Sequence, residues 1–200
     1  MDSISSLVEA LRCLPGIGPK SAQRMVFHLL KHGRERGINL ASCLQDAMLN
    51  IIHCDGCNNY TSKPICNICS NANRDKTKIC IVEGPTDLIA IEQTTAFNGI
   101  YFVLMGKISP LDGIGPEDIG LNNLQKKILE HQIDEVIIAL SSNIEGQTTV
   151  HYIQEMLRSY SVEISQLAQG IPSGGDLNFL DSSTINSAFR NRAILHLSPE

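Results

Sequence analysis

Apolar residues recur at helical spacing along the first fifty positions. Ile4, Leu7, Val8 and Leu11 share one face of a first helix. Leu14-Pro15-Gly16-Ile17-Gly18-Pro19 breaks the period, which resumes with Ala22, Met25, Val26, Leu29 and Leu30 in a second helix. Gly33 and Gly37 punctuate the chain. Leu40, Leu44, Met48, Ile51 and Ile52 then predict a third helix running up to Cys54.

Beyond a polar run at 71–76, read as a linker, the pattern switches to short apolar runs separated by helical ones. Strands are predicted at 79–82, 101–105, 136–140 and 162–164. Helices are predicted through Leu88, Ile89 and Ile91, through Leu124, Ile128 and Leu129, and through Tyr152, Ile153, Met156 and Leu157. Buried strands alternating with helices of this length imply a parallel α/β sheet covered on both faces. From Gly170 onward the chain reads as loop, short strand and a helix initiated by serine.

Composition narrows the function classes. The 200 residues are 42% apolar, as in an ordinary globular chain, and no apolar run reaches transmembrane length. Tryptophan is absent, which disfavours recognition of sugars or bases on aromatic platforms. The net charge of -5 argues against a uniformly basic nucleic-acid binder. The charge is unevenly spread, however. Residues 1–40 carry six basic side chains against three acidic ones, so contact with a polyanion is expected at the N-terminal end. A solvated helix face is the plainer alternative.

The strongest chemical signal is a quartet of cysteines, Cys54/Cys57 and Cys66/Cys69, in two Cys-x-x-Cys pairs. Each pair supplies two thiolates from one turn, and four converging thiolates suit tetrahedral zinc. The stretch between the pairs is too short and too polar to bury a core of its own, so a metal is expected to hold it. Disulfides would need an oxidising compartment, and Met1-Asp2-Ser3-Ile4 opens no secretory signal. A catalytic dithiol would need one pair, not two. One structural Zn2+ per chain is expected. Cys13, Cys43 and Cys80 lie in apolar, periodic surroundings and are expected to be buried.

Pro15-Gly16-Ile17-Gly18 between two helices has the form of a helix–hairpin–helix. Gly16 and Gly18 can adopt positive φ and carry no side chain, so their N–H groups can approach a phosphate. Pro19 suits the first turn of a helix whose N-terminus attracts anions. Lys20 and Arg24, four apart, fall on one face near that phosphate. Ile17 is expected to plug the gap between the helices. Contacts of this kind grip the DNA backbone and ignore sequence. A second Gly-Ile-Gly-Pro at 113–116 is followed by Glu117 and Asp118, whose charge repels phosphate, and reads as a loop.

Glu83 closes the first α/β strand and is followed by Gly84-Pro85-Thr86-Asp87 at a helix start. Carboxylates at the C-terminal ends of parallel strands occupy the usual functional edge of such sheets. The arrangement resembles the first motif of the Toprim fold of topoisomerases and primases. Catalytic Toprim domains add an Asp-x-Asp that helps hold magnesium; here the corresponding segment is Ser141-Ser142-Asn143-Ile144-Glu145-Gly146. No catalytic residue is expected. Glu83, Asp87 and Glu145 are left as an acidic cleft for a partner or a weakly held metal, with helix capping the plainer role for Asp87.

The order of these parts is similar to one family, RecR, the bacterial recombination mediators. The resemblance rests on the run from Leu11 to Met25, on Cys66-Asn67-Ile68-Cys69-Ser70, on Tyr101-Phe102-Val103-Leu104-Met105-Gly106 and on Ser109-Pro110-Leu111-Asp112-Gly113-Ile114-Gly115-Pro116. It implies an α/β protein with a helix–hairpin–helix region (1–53), a four-cysteine zinc finger (54–69), a Toprim domain (77–172) and a C-terminal oligomerisation segment (173–200). It also implies a cytoplasmic, nucleoid-associated, non-enzymatic protein that assembles into a tetrameric ring around DNA. With RecO, and in some settings RecF, such proteins load RecA onto gapped single-stranded DNA. The chain departs from the family pattern at Ser141-Ser142 and Gln147 beside the cleft, at Gln169, and at Asn191-Arg192. The competing readings are a Toprim-type metal-dependent nuclease or primase-like enzyme and an adaptor that never touches DNA.

Overall fold

A computed structural model describes residues 2–192. The chain divides into two compact units, the second beginning at Ile52.

The first unit is three helices: α1 (Ser3–Leu11), α2 (Pro19–His32) and α3 (Arg34–Asn50). Its core is thin: among its described residues only Ala22 and Val26 are fully buried. That thinness corrects the expectation for two cysteines. Cys13 and Cys43 are exposed, because three short helices bury little more than one stripe of α2. The third helix also starts earlier than its apolar period suggests. Gly37 lies inside α3, its N–H donating to Gly33 O at 2.8 Å. One interior glycine weakens a helix by only ~1 kcal/mol relative to alanine, and the helix runs through it.

At the other end, Ile51 and Ile52 leave the helix. Ile52–His53 forms β1, paired antiparallel with β2 (Tyr60–Thr61), and the turn between them carries the first cysteine pair. The remaining strands, β3 (Asp75–Val82), β4 (Gly99–Val103), β5 (Glu135–Ala139) and β6 (Glu163–Gln166), form one parallel sheet in the order β4-β3-β5-β6. The four apolar runs are therefore its strands. The polar run before the first of them is not wholly a linker, since β3 begins at Asp75. Its backbone has partners: Asp75 N donates to Asn98 O at 2.9 Å and Asp134 N to Thr77 O at 2.8 Å.

Helices α4 (Pro85–Thr94), α5 (Leu121–Glu130) and α6 (Ile144–Leu157) provide the crossovers. Two buried clusters cover the two faces, as a parallel sheet requires. The larger one joins Ile79, Ile81, Phe102, Val136 and Ile138 to α5 and α6. The smaller joins Cys80, Val82, Tyr101 and Val103 to Leu88 and to Cys54, Cys57 and Cys66. The cysteine segment is thus part of the cover on one face of the sheet. Beyond β6 come a 3-10 turn (Leu177–Phe179) and α7 (Ser182–Arg190), capped by Asp181. The strand expected after Gly170 is not found among the described residues.

Candidate functional site

The four cysteines converge as their spacing predicts. The Sγ atoms of Cys54, Cys57, Cys66 and Cys69 all lie within 4.8 Å of one another. Tetrahedral coordination at ~2.3 Å per sulfur separates ligand sulfurs by about 3.8 Å, so the cage is of the right size for a metal ion. The sulfurs of Cys57 and Cys66 are 3.6 Å apart, far beyond a disulfide bond. Backbone donors orient the sulfurs: Gly56 N and Cys66 N donate to Cys54 Sγ at 3.3 and 3.2 Å, and Cys69 N to Cys66 Sγ at 3.5 Å.

The chemistry of this donor set asks for a cation. Burial alone raises the Cys54 thiol, but the backbone N–H groups of Cys66, Cys57 and Gly56 outweigh it and bring the value down to about 7. Its neighbours move the other way. The Cys69 side chain and burial push Cys57 up, and burial with the adjoining thiols pushes Cys66 up. Four crowded sulfurs cannot all ionise unless positive charge enters between them. The quartet fits a bound metal ion.

In the hairpin, Gly16 takes φ +78, which only glycine adopts without strain, and it turns the chain between α1 and α2. Gly18 is different. Its φ of -84 and ψ of 172 are extended, so the positive φ that glycine allows is not used there. Gly18 is instead the N-cap of α2, a position at which a short backbone residue leaves the helix end open. No side chain caps α2, and Pro19 occupies its first turn. Ile17 is half-buried, consistent with its expected role as a plug. Lys20 and Arg24 are exposed, and neither joins an ion pair among the described residues. The result is an open, positively polarised helix end flanked by two free cations.

The acidic cleft lies at the C-terminal ends of β3, β4 and β5. Glu83 follows β3, and Glu145 stands in the first turn of α6. The two carboxylates share one partner: Lys107 Nζ is 3.2 Å from Glu83 Oε1 and 3.4 Å from Glu145 Oε2. Ser141 Oγ donates to Glu83 Oε2 at 3.0 Å, and Ser109 Oγ lies 3.4 Å from Glu145 Oε1 and 2.6 Å from Asp112 Oδ2. Burial works against the Lys107 ammonium, yet the two glutamates outweigh it and hold its pKa above the ordinary lysine value.

Asp87 does not join them. Its Oδ2 accepts the N–H of Gly84 at 2.9 Å, which makes it the cap of α4. Close packing sets the far wall. A Cβ on Gly146 would fall 1.9 Å from Ser141 O, so only glycine lets the Ser141 turn fold back onto α6. Ser109 and Ser141 stand in segments that the family resemblance drew on, but nothing in the sequence singled out either of them or Lys107 as partners of the two glutamates.

Three families match the chain in order: "RecR, helix-hairpin-helix" over residues 4–48, the Toprim domain over 77–168, and "RecR, C-terminal" over 170–193. Among curated proteins, the recombination protein RecR of Legionella pneumophila is 61% identical over 197 residues in each of the strains Corby, Lens and Paris. These alignments cover 98% of this chain and 100% of each relative.

Proposed function

Because the chain belongs to the RecR family of recombination proteins, we propose that it is a DNA-binding recombination mediator in DNA repair. It acts with RecO, and with RecF where that is used, to load RecA onto gapped single-stranded DNA. The observation that carries this reading is the hairpin: Gly16 at φ +78, an uncapped α2 N-terminus, and exposed Lys20 and Arg24 one turn apart. Gly16, Gly18, Lys20 and Arg24 grip a phosphate backbone through N–H groups and charge, without reading bases.

The working form is a homotetrameric ring. The exposed apolar residues Ile38, Leu44, Met48 and Leu49 on α3 support self-association, because isolated helices seldom leave so many large apolar side chains in water. Residues 173–192 contribute further oligomer contacts; the rest of the expected oligomerisation segment, 193–200, lies outside the described residues. The metal in the four-cysteine cage is zinc, one ion per chain, and its closed thiolate shell makes it structural. The protein works in the cytoplasm on nucleoid DNA; no helix among the described residues is long and apolar enough to cross a membrane. The acidic cleft serves protein contact and not catalysis. Glu83 and Glu145 are engaged with Lys107, and Asp87 caps a helix, which gives the nuclease or primase reading no free carboxylate pair.

Fluorescence anisotropy with gapped DNA tests the proposal. The wild-type protein should bind at low salt, and Lys20→Ala/Arg24→Ala should flatten the slope of log K against log salt by about 2, one phosphate contact per residue. Equal binding by both proteins, or none by either, would remove the DNA-binding reading.

A further inference from the structure

We propose that Lys107 is a built-in counter-ion that stands between Glu83 and Glu145 where a divalent cation would otherwise be drawn. The two carboxylates come from separate elements, one after β3 and one in the first turn of α6, and each lies within contact range of the same nitrogen. The lysine side chain is about one-fifth exposed, so the pair is only partly screened by water.

The surroundings hold the ammonium in place. Lys107 follows β4 in a loop whose backbone is tied down on both sides of it. Gly106 N donates to Glu83 O at 3.1 Å, and Ile108 N donates to Thr149 Oγ1 at 3.0 Å. Thr149 is fully buried and donates in turn to Glu145 O at 2.8 Å. The nitrogen is therefore tethered at high local concentration, and a free ion must displace it to reach the glutamates. The hydroxyl of Ser141 serves the outer oxygen of Glu83. Magnesium demands near-ideal octahedral oxygen geometry at ~2.1 Å and dehydrates reluctantly, so it competes poorly with a charge already seated.

The lysine has two consequences. It neutralises one of two adjacent carboxylates without any cofactor, and it pins the loop carrying fully exposed Leu111 to the end of β3. Lys107 is thus a positioning residue, and the cleft keeps its shape at any magnesium concentration. This inference rests on the reading of the cleft as non-catalytic and is independent of the DNA-binding hairpin.

The test is Mn2+ binding, followed by electron paramagnetic resonance of the free ion, on the full-length protein with its cysteine site loaded with zinc. Wild type should take up negligible Mn2+ beyond the zinc site. Lys107→Met, which keeps the side-chain length and removes the charge, should bind one Mn2+ per chain about 100-fold more tightly, as expected from a unit charge removed at contact distance in a partly screened site. Lys107→Arg should behave as wild type, and Glu83→Gln in the Lys107→Met background should abolish the new binding.

A folded Lys107→Met protein that takes up no Mn2+ overturns the proposal. So does wild-type binding of Mn2+ that Glu83→Gln removes, and this second result decides the matter even if Lys107→Met fails to fold. If that wild-type binding is accompanied by Mg2+-dependent DNA cleavage lost in Glu83→Gln, the non-catalytic reading of the cleft falls as well. Binding without cleavage overturns the role of Lys107 alone.

Discussion

The N–H of Val103 donates to the carbonyl oxygen of Cys57 at 2.9 Å. Val103 O in turn accepts from Asn58 Nδ2 at 2.7 Å. Val103 lies on β4, the edge strand of the sheet, so the cysteine turn closes an edge that would otherwise present unpaired backbone groups. The same turn packs Cys54 and Cys57 beside Val82, Leu88 and Tyr101. The metal-binding segment is a structural cover of the α/β sheet, bonded to it through the backbone and packed into its core.

Loss of the metal should therefore reach the sheet. Cys57→Ser, or removal of the ion with a strong chelator, should lower the melting temperature by on the order of 10 °C, since ~1 kcal/mol shifts a chain of this size by about 2–4 °C and a structural metal contributes several times that. Metal analysis should read one ion per chain before chelation and none after. An unchanged melting curve in a metal-free protein would contradict the assignment.

The two hairpin glycines should respond differently to alanine. At Gly16 the positive φ makes Gly16→Ala costly, by about 1–2 kcal/mol of stability in the helical unit. At Gly18 the backbone is extended, and an added Cβ meets no atom within 4 Å. Gly18→Ala should melt close to the wild type yet, if the hairpin holds DNA as proposed, weaken DNA binding, because the methyl group would crowd a phosphate at the N–H groups. Calorimetry and anisotropy on the same two variants separate the effects.

Arg74 and Glu92 form a second joint of the fold. The guanidinium pairs with Glu92, donates from Nη1 to Gly99 O at 2.9 Å, and lies 5.7 Å over the Tyr101 ring, whose hydroxyl donates to Glu92 Oε1 at 2.7 Å. Burial pushes the Glu92 carboxyl up, but Arg74 and Tyr101 outweigh it and hold it below the ordinary range. A depressed carboxyl contributes stability above its unfolded value of about 4.3 and loses it as the pH falls through the folded value. Arg74→Met should thus cost about 3 kcal/mol at neutral pH, by leaving a part-buried charge unpaired. The gap in melting temperature from wild type should narrow as the pH falls through the depressed folded value of Glu92, below which the carboxyl is protonated in both proteins. A gap constant from pH 3 to 7 would show that the pair's charge does not matter.

Thiol reactivity should sort the cysteines by environment. Cys13 and Cys43 are exposed, whereas Cys80 is buried and burial pushes its thiol up to about 12. A thiol reagent at pH 8 should modify Cys13 and Cys43 quickly in the zinc-loaded native protein. Cys80 and the quartet should react only after denaturant and chelator are added. Fast labelling of Cys80, located by mass spectrometry, would contradict its placement in the core.

Much of the architecture was legible from periodicity. The four sheet strands are uninterrupted apolar runs, and such runs have few destinations other than the middle of a covered sheet. What local pattern missed was structure made by distant partners. Asp75–Lys78 is polar and extended because β5 and the residues before β4 bond to its backbone. Ile52 continues a helical period but is taken into β1 by Tyr60 and Thr61. Cys13 and Cys43 sit in apolar stretches yet remain exposed, because the helical unit has little interior to put them in.

The cysteine quartet and the glycine hairpin are local in sequence, so spacing alone located the cysteine cage and the turn between α1 and α2. Four thiols in two turns can converge in few ways, and Pro19, resuming the apolar period after the hairpin, marks the first turn of α2. The acidic cleft is of another kind. Residues 83, 107, 141 and 145 meet because the strand order β4-β3-β5, with β3 in the middle, sets the ends of these three strands side by side. That order is a property of long-range packing, and only the tertiary structure decided that the two glutamates face a lysine.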